Sequence, residues 1–198
     1  MRKIIVTALF TSIASIFAGS TFAQNDAAPP HRFFLIGGSH AAGLQVELRS
    51  RTGLDHFGFD SLSKVGTRAV GWTKSGLLQK RLKEFDPDIV LVSFGTDEAK
   101  YDTSISVLAL QFQTFVNAIS DRGRRRIIWL APPDLTGVNY LANVRDALKQ
   151  VKGIEIIDVT QNEYGLTPSG VLLTHAANIA WAGDIWDKIR PTVVDEEQ

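Results

Sequence analysis

Short apolar runs alternate with segments of helical periodicity along this chain, and that alternation constrains its fold more than any other feature. The runs DIVLVSF and RIIWL are apolar at almost every position, which is typical of strands buried on both faces of a parallel sheet. The sequence predicts five strands, at residues 32–36, 58–62, 88–94, 126–130 and 154–158.

Between these strands, apolar side chains recur three or four residues apart and predict amphipathic helices. The clearest helical faces are Leu78, Leu82 and Phe85; Leu108, Phe112, Phe115 and Ile119; and Trp181, Ile185 and Ile189. Strands that alternate with helices are joined by right-handed crossovers. We therefore predict an α/β fold, a three-layer sandwich built on a five-stranded parallel sheet.

Residues 1–23 have the composition of a secretory signal peptide. Arg2 and Lys3 precede the apolar stretch IIVTALFTSIASIF, and small residues precede a polar segment. We predict cleavage after Ala23, a linker at 24–31, one domain at 32–192 and a polar tail at 193–198. The alternative is an N-terminal membrane anchor, for which the apolar stretch is short and rich in serine and threonine.

The signal peptide predicts a periplasmic or secreted protein with no membrane span after cleavage. The sequence has no cysteine, so the domain must be stable without disulfides. Its 21 basic and 21 acidic residues balance, which argues against an electrostatic nucleic-acid binder. The basic cluster Arg122–Arg126 lies between a helix and a strand, and a solvated turn is a better interpretation of it than a phosphate site.

Functional residues in an open parallel sheet gather beyond the carboxyl ends of the strands. Ser39 follows the first strand in the stretch FFLIGGSHAAGL, at the corner where a helix begins. Such a serine is either a helix cap or turn residue, or a nucleophile activated by a histidine from another loop. The spacing of histidines and carboxylates suggests no metal site, and no cofactor is predicted.

Five blocks of this sequence resemble the SGNH (GDSL-type) hydrolases, in the subgroup of exported bacterial proteins. They are Gly37-Gly38-Ser39 with Ala42-Gly43-Leu44, VGTRAVGW, PDIVLVSFGTDEA, IIWLAPPDL and SGVLLTHAANIAWAGDIW. The resemblance covers nearly all of residues 32–190. It implies the SGNH hydrolase fold, with a flavodoxin-like five-stranded parallel sheet. It also implies Ser39 as the nucleophile and Gly66 as a backbone donor to the oxyanion.

The sequence departs from the family pattern at the other active-site positions. Asp97 stands where the resemblance implies an asparagine donor, and Leu172 stands at the position of the catalytic histidine. Ser169 replaces the aspartate that orients that histidine, and Gly38 replaces the aspartate before the nucleophile. An ionised carboxylate at Asp97 donates no hydrogen bond and repels an oxyanion, and a leucine accepts no proton.

Two of the four histidines lie near these blocks. His175, three residues after Leu172 in a helix first turn, is the candidate for a substitute base, although a surface role is the favoured interpretation. His40 adjoins Ser39, but neighbouring side chains diverge at a strand-to-helix corner, which argues against it as the base. His31 and His56 lie in a predicted linker and a predicted loop, and nothing in the sequence around them indicates a functional role.

Three hypotheses for the function follow. The favoured one is an exported, catalytically impaired hydrolase relative that binds a small-molecule ester or an acylated glycan in its cleft. The second is an active serine esterase or deacetylase with Ser39 as nucleophile and His175 as base. The third is an interaction module whose cleft has no role.

Overall fold

A computed structural model describes residues 31–160 and 162–194, so the predicted signal peptide and its cleavage point lie outside the described residues. Five parallel strands form one sheet in the order β2-β1-β3-β4-β5. The strands are β1 (Arg32–Gly37), β2 (Gly58–Ser63), β3 (Ile89–Ser93), β4 (Arg126–Leu130) and β5 (Glu155–Ile157). The predicted five-stranded parallel sheet is confirmed.

Helices connect successive strands and cover both faces of the sheet. They are α1 (Ser39–Leu54), α2 (Ala69–Trp72), α3 (Gly76–Phe85), α4 (Ile105–Ile119), α5 (Leu141–Leu148), α6 (His175–Ile189) and α7 (Pro191–Val194). Short 3₁₀ turns occur at Glu98–Lys100 and Asp121–Gly123. Helix α1 packs with α6, and α4 packs with α5, so the sheet is the middle layer of a three-layer sandwich.

The core lies between the sheet and these helices. Strand β3 is buried at all five positions, as its apolar sequence predicts. The predicted helical faces of α4 and α6 are buried, and Leu78 and Leu82 of α3 are buried while Phe85 is half-buried. Strand β5 is exposed at Glu155 and Ile156 because it lies at the edge of the sheet.

The packed region extends slightly beyond the predicted domain limits of 32 and 192. The carbonyl of His31 accepts a hydrogen bond from the Gly58 N–H at 2.9 Å, which ties residue 31 to the start of β2. Val193 in α7 is fully buried, so it packs with the core and differs from the polar residues that follow it. Within 31–160 and 162–194, none of the helices combines the length and hydropathy that crossing a bilayer requires.

The basic cluster Arg122–Arg126 ends at the first residue of β4, at the amino end of the sheet. Arg124 forms ion pairs with Asp86 and, at 2.8 Å, with Asp121. Arg125 is largely buried and donates to the carbonyls of Ile119 and Leu82. These partners give the cluster a structural role in the turn.

Candidate active site

Ser39 is the first residue of α1, directly beyond the carboxyl end of β1. A Cβ on Gly37 would collide with the carbonyl of Ser93, so the close approach of β1 and β3 requires a glycine there. The N-cap of α1 is Gly38, without a side-chain cap. The Ser39 hydroxyl has no hydrogen bond to any of the described residues, so it does not act as a helix cap.

The cleft beside Ser39 is lined by Gly38 to His40, by Thr67 and by residues 93–97. Its volume is about 10 Å³, room for roughly one water molecule. The loops after β1, β2 and β3 therefore meet at one edge of the sheet, as its parallel topology predicts. The structure brings Ser39 and Asp97 together in this cleft.

Gly66 lies in the loop between β2 and α2, next to Thr67. Its φ is +73°, and a Cβ there would meet nothing within 4 Å, so the backbone conformation alone favours glycine. Gly66 is exposed, and Thr67 rather than Gly66 lines the cleft. The position implied for Gly66 is thus adjacent to the cleft.

Asp97 is 8% exposed and forms an ion pair with Lys100. The Lys100 ammonium donates to Oδ1 of Asp97 at 2.5 Å. The second oxygen, Oδ2, faces Gly38, because a Cβ on Gly38 would lie 3.4 Å from it. Lys100 balances the negative charge of Asp97 within the cleft, an arrangement that the spacing Asp97-X-X-Lys100 allows in a helical turn.

Glu98 is a second acidic residue at the site, and sequence reasoning did not single it out. It is 2% exposed, and its carboxylate accepts from the N–H of Ala69 at 2.7 Å and of Gly95 at 3.0 Å. Burial raises the pKa of the Glu98 carboxyl, while these backbone hydrogen bonds oppose the increase. Glu98 therefore holds the loop before α2 against the loop after β3.

His40 is the second residue of α1 and is 5% exposed. Its Nδ1 lies 3.1 Å from Oγ1 of Thr96, its ring packs edge-on against Trp181, and its Nε2 has no partner in the described residues. Desolvation lowers the pKa of His40 to about 4, against the attraction of Asp97. His40 is thus a neutral imidazole at neutral pH, and it has no hydrogen bond to Ser39.

His175 is exposed at the first position of α6, where Thr174 caps the helix by accepting from the Ala177 N–H at 3.2 Å. It is not among the residues that line the cleft. Helices α1 and α6 run in the same direction, because Gly43 packs against Asn178 and, further along both helices, Gly183 packs against Arg51. Their N-termini, with Ser39 and His175, therefore lie at the same end of the domain.

The loop before α6 has no base at the position that the resemblance implies. Leu172 is 40% exposed, and its carbonyl accepts from the Thr167 N–H at 2.8 Å. The Ser169 hydroxyl lies 3.1 Å from the Thr167 hydroxyl, so it belongs to this turn. Gly170 has a φ of +66° and packs against Gly137, which explains the glycine.

Solved structures of esterases and lipases share this architecture. A lipase/acylhydrolase from Enterococcus faecalis is 17% identical, with a TM-score of 0.61, covering 82% of this chain and 97% of its own. An acetyl esterase mutant with an acetate ion is 15% identical, with a TM-score of 0.67 and coverage of 83% and 99%. A carbohydrate esterase family 3 protein from Talaromyces cellulolyticus is 14% identical, with a TM-score of 0.65 and coverage of 83% and 99%.

This chain has the SGNH hydrolase fold. The fold predicted from the sequence blocks is therefore confirmed, including the flavodoxin-like order of its five strands. No family model matches the sequence, and no curated protein matches it significantly. The similarity to these structures is therefore one of fold.

The Ser39 cleft offers an unbonded serine hydroxyl, a charge-balanced carboxylate and a neutral, buried histidine. His40, Glu98 and Lys100 were not predicted as site residues. The burial and pairing of His40 and Glu98 depend on contacts between segments that are far apart in the sequence, whereas Lys100 pairs locally with Asp97, three residues before it. Among residues 31–160 and 162–194, no group of three or more histidine, aspartate or glutamate side chains is placed to hold a metal ion.

Proposed function

We propose that this protein is an exported SGNH-fold domain whose Ser39 cleft binds acyl esters or acylated glycans while its hydrolytic activity is strongly impaired. The observation that carries the proposal is the state of the one imidazole in the cleft lining, His40. Its Nδ1 is taken by Thr96, and burial lowers its pKa to about 4. Without a base, turnover by a comparable triad falls on the order of a millionfold.

Asp97 supports the same proposal. A catalytic SGNH cleft requires a hydrogen-bond donor for the oxyanion, and the Asp97 carboxylate is an acceptor that already receives the Lys100 ammonium. The loss of one oxyanion donor costs roughly a hundred- to a thousandfold in turnover. The two changes together favour binding over catalysis.

The ligand class is inferred from the neighbours and from the cleft. Structures of the same fold include an acetyl esterase with an acetate ion and a carbohydrate esterase family 3 protein. The cleft has room for about one water-sized group, so the carbonyl oxygen of the ester enters it and accepts from the Ser39 hydroxyl, while the rest of the ligand lies outside its opening. Export rests on the signal-peptide prediction, and the mass of the protein recovered from the cell envelope tests cleavage after Ala23.

The second candidate is an active esterase in which His175 serves as the base for Ser39. One observation favours it: α1 and α6 start at the same end of the domain, and the His175 ring is exposed there. A movement of the loop before α6 would be required, since the described residues show no hydrogen bond between His175 and Ser39.

Hydrolysis and binding measurements separate the two candidates. We expect purified protein to hydrolyse 4-nitrophenyl acetate no faster than its Ser39→Ala variant, and to bind an O-acetylated oligosaccharide saturably without releasing acetate. Hydrolysis that disappears in both Ser39→Ala and His175→Ala, but persists in His56→Ala, would establish the active esterase instead. Absence of binding and of hydrolysis in a folded sample would leave the interaction-module hypothesis.

A further inference from the structure

A second pocket adjoins the Ser39 cleft. It has a volume of about 290 Å³ and is lined by Lys64, Thr67, Gly71, Trp72, Ser75 and Leu77. Thr67 lines both the cleft and this pocket, so the two are neighbours. A volume near 300 Å³ is at the lower end of the range for small-molecule sites.

Hydrogen bonds fix the wall of this pocket. The Lys64 N–H donates to the Gly37 carbonyl at 3.1 Å, which ties the loop to the end of β1. The Thr67 hydroxyl donates to the Lys64 carbonyl at 2.5 Å and accepts from the Trp72 indole N–H at 3.1 Å. The pocket therefore exists before a ligand binds, which reduces the entropy lost on binding.

The lining combines apolar surface with one available positive charge. Trp72 and Leu77 supply the apolar contacts, and Leu77 is 55% exposed. The Lys64 ammonium has no carboxylate partner within the described residues. The hydroxyls of Thr67 and Ser75 already form hydrogen bonds within the protein. Thr67 bonds to Lys64 and Trp72, and Ser75 caps α3 by accepting from the Leu78 N–H at 3.3 Å.

Nearby acidic side chains do not compete for Lys64. Asp97 pairs with Lys100, and Glu98 accepts from two backbone N–H groups in the interior. Arg68, the next residue after Thr67, places its guanidinium over the exposed Tyr101 ring at 5.3 Å and does not line the pocket, so Lys64 is the cationic residue of the lining. An anionic group entering this region is therefore attracted to it.

We infer that this pocket is a subsite for the carboxylate-bearing part of a ligand whose ester group lies at Ser39. The inference rests on the proposed function, because it requires an ester in the cleft. The ligand class is an ester of a small amphipathic acid: its apolar segment contacts Trp72 and Leu77, and its carboxylate pairs with Lys64. A neutral ester of the same length makes the apolar contacts but not the ion pair with Lys64, so it binds less tightly.

The test compares monomethyl adipate with dimethyl adipate, which differ by one carboxylate. Binding to the wild-type protein is followed through the indole N–H resonance of Trp72, assigned with Trp72→Phe, and the methyl-ester signals are monitored to establish that no turnover occurs. We expect the monoester to bind about fivefold more tightly, the upper range for a solvent-exposed ion pair. Lys64→Gln should remove that preference, and Lys152→Gln, at the opposite end of the sheet, should keep it.

Leu77→Glu provides a second variant at an exposed position, where folding is not at risk. Its carboxylate should compete for Lys64 and abolish the preference for the monoester. Equal binding of both esters, or a preference that survives Lys64→Gln, would overturn the subsite and leave the proposed function intact. Binding of neither ester to folded protein would overturn the proposed function together with the subsite.

Discussion

Gly38 lies directly against Asp97: a Cβ on Gly38 would stand 3.4 Å from Oδ2 of the carboxylate. The φ of Gly38 is −89°, outside the left-handed region that favours glycine. What glycine avoids here is a second negative charge, since an aspartate at 38 would place two carboxylates side by side in a cleft with room for about one water molecule.

Gly38→Asp should therefore destabilise the protein through charge repulsion. We expect a loss of about 1–2 kcal/mol in the free energy of unfolding at pH 7, measured by urea denaturation. Most of the loss should disappear in the Asp97→Asn background, because only one carboxylate then remains. Gly38→Asn is the size-matched control. An equal loss of unfolding free energy in Gly38→Asn and Gly38→Asp would show that steric clash, and not charge repulsion, causes the destabilisation.

Glu98 should contribute a pH-dependent term to stability. Because burial raises its pKa in the folded protein, the folded state holds the proton more tightly than the unfolded state does. Its contribution is therefore largest below the unfolded pKa and decreases as pH rises through the folded pKa. Urea denaturation across the acidic range, with wild type and Glu98→Gln, should show this dependence in the wild type alone.

The same variant should also lower stability at neutral pH. Glu98→Gln exchanges one acceptor oxygen for an amide donor, so either the Ala69 or the Gly95 N–H loses its partner. We expect a cost of about 1–3 kcal/mol. The exposed control Glu84→Gln should cost far less, and equal effects of the two substitutions would contradict the bridging role of Glu98.

His40 should act in the opposite direction with pH. Its folded pKa of about 4 lies below the ordinary histidine pKa of 6.5, so the unfolded chain binds the proton more tightly. Stability that is fully present above pH 6.5 should decrease as pH falls through 4, by about 3 kcal/mol in total. His40→Gln should lose this dependence. An NMR titration that gives His40 a pKa near 6.5 would contradict the assignment.

Restoring the missing groups should restore catalysis. Leu172 is 40% exposed, so Leu172→His places an imidazole in the loop before α6 without disturbing the core. Combined with Asp97→Asn, it should raise hydrolysis of 4-nitrophenyl acetate by at least about a hundredfold. The increase must vanish when Ser39→Ala is added. A folded double variant as inactive as Leu172→Asn with Asp97→Asn would show that Leu172 is not at the base position.

The sequence predicted the layers and the strands of this fold well, because their signals are local. The apolar run 126–130 is β4 to the residue, and the Trp181, Ile185 and Ile189 face of α6 is buried as its spacing predicts. The ends of strands were predicted less accurately. Strand β5 covers Glu155–Ile157 rather than 154–158, because an exposed edge strand has fewer apolar residues to mark its ends.

The site was predictable only in part. Ser39 and Asp97 could be placed in one cleft because both follow strands of a parallel sheet. The pairing of Asp97 with Lys100 is local, so the spacing Asp97-X-X-Lys100 was a signal that could have predicted it. The bridge from Glu98 to Ala69 could not be predicted, because it depends on how the loops after β2 and β3 fold onto each other. His40 illustrates the same point, since its low pKa arises from burial against Trp181 and Thr96.

The central claim is that Ser39 occupies the nucleophile position without being activated. Labelling with a fluorophosphonate probe, read by intact mass beside Ser39→Ala, tests it most directly, with an active serine esterase labelled in parallel and circular dichroism to establish folding. We expect no adduct on either form under conditions that label the control esterase completely. A single adduct on the wild type that is lost in Ser39→Ala would contradict it and identify an activated serine.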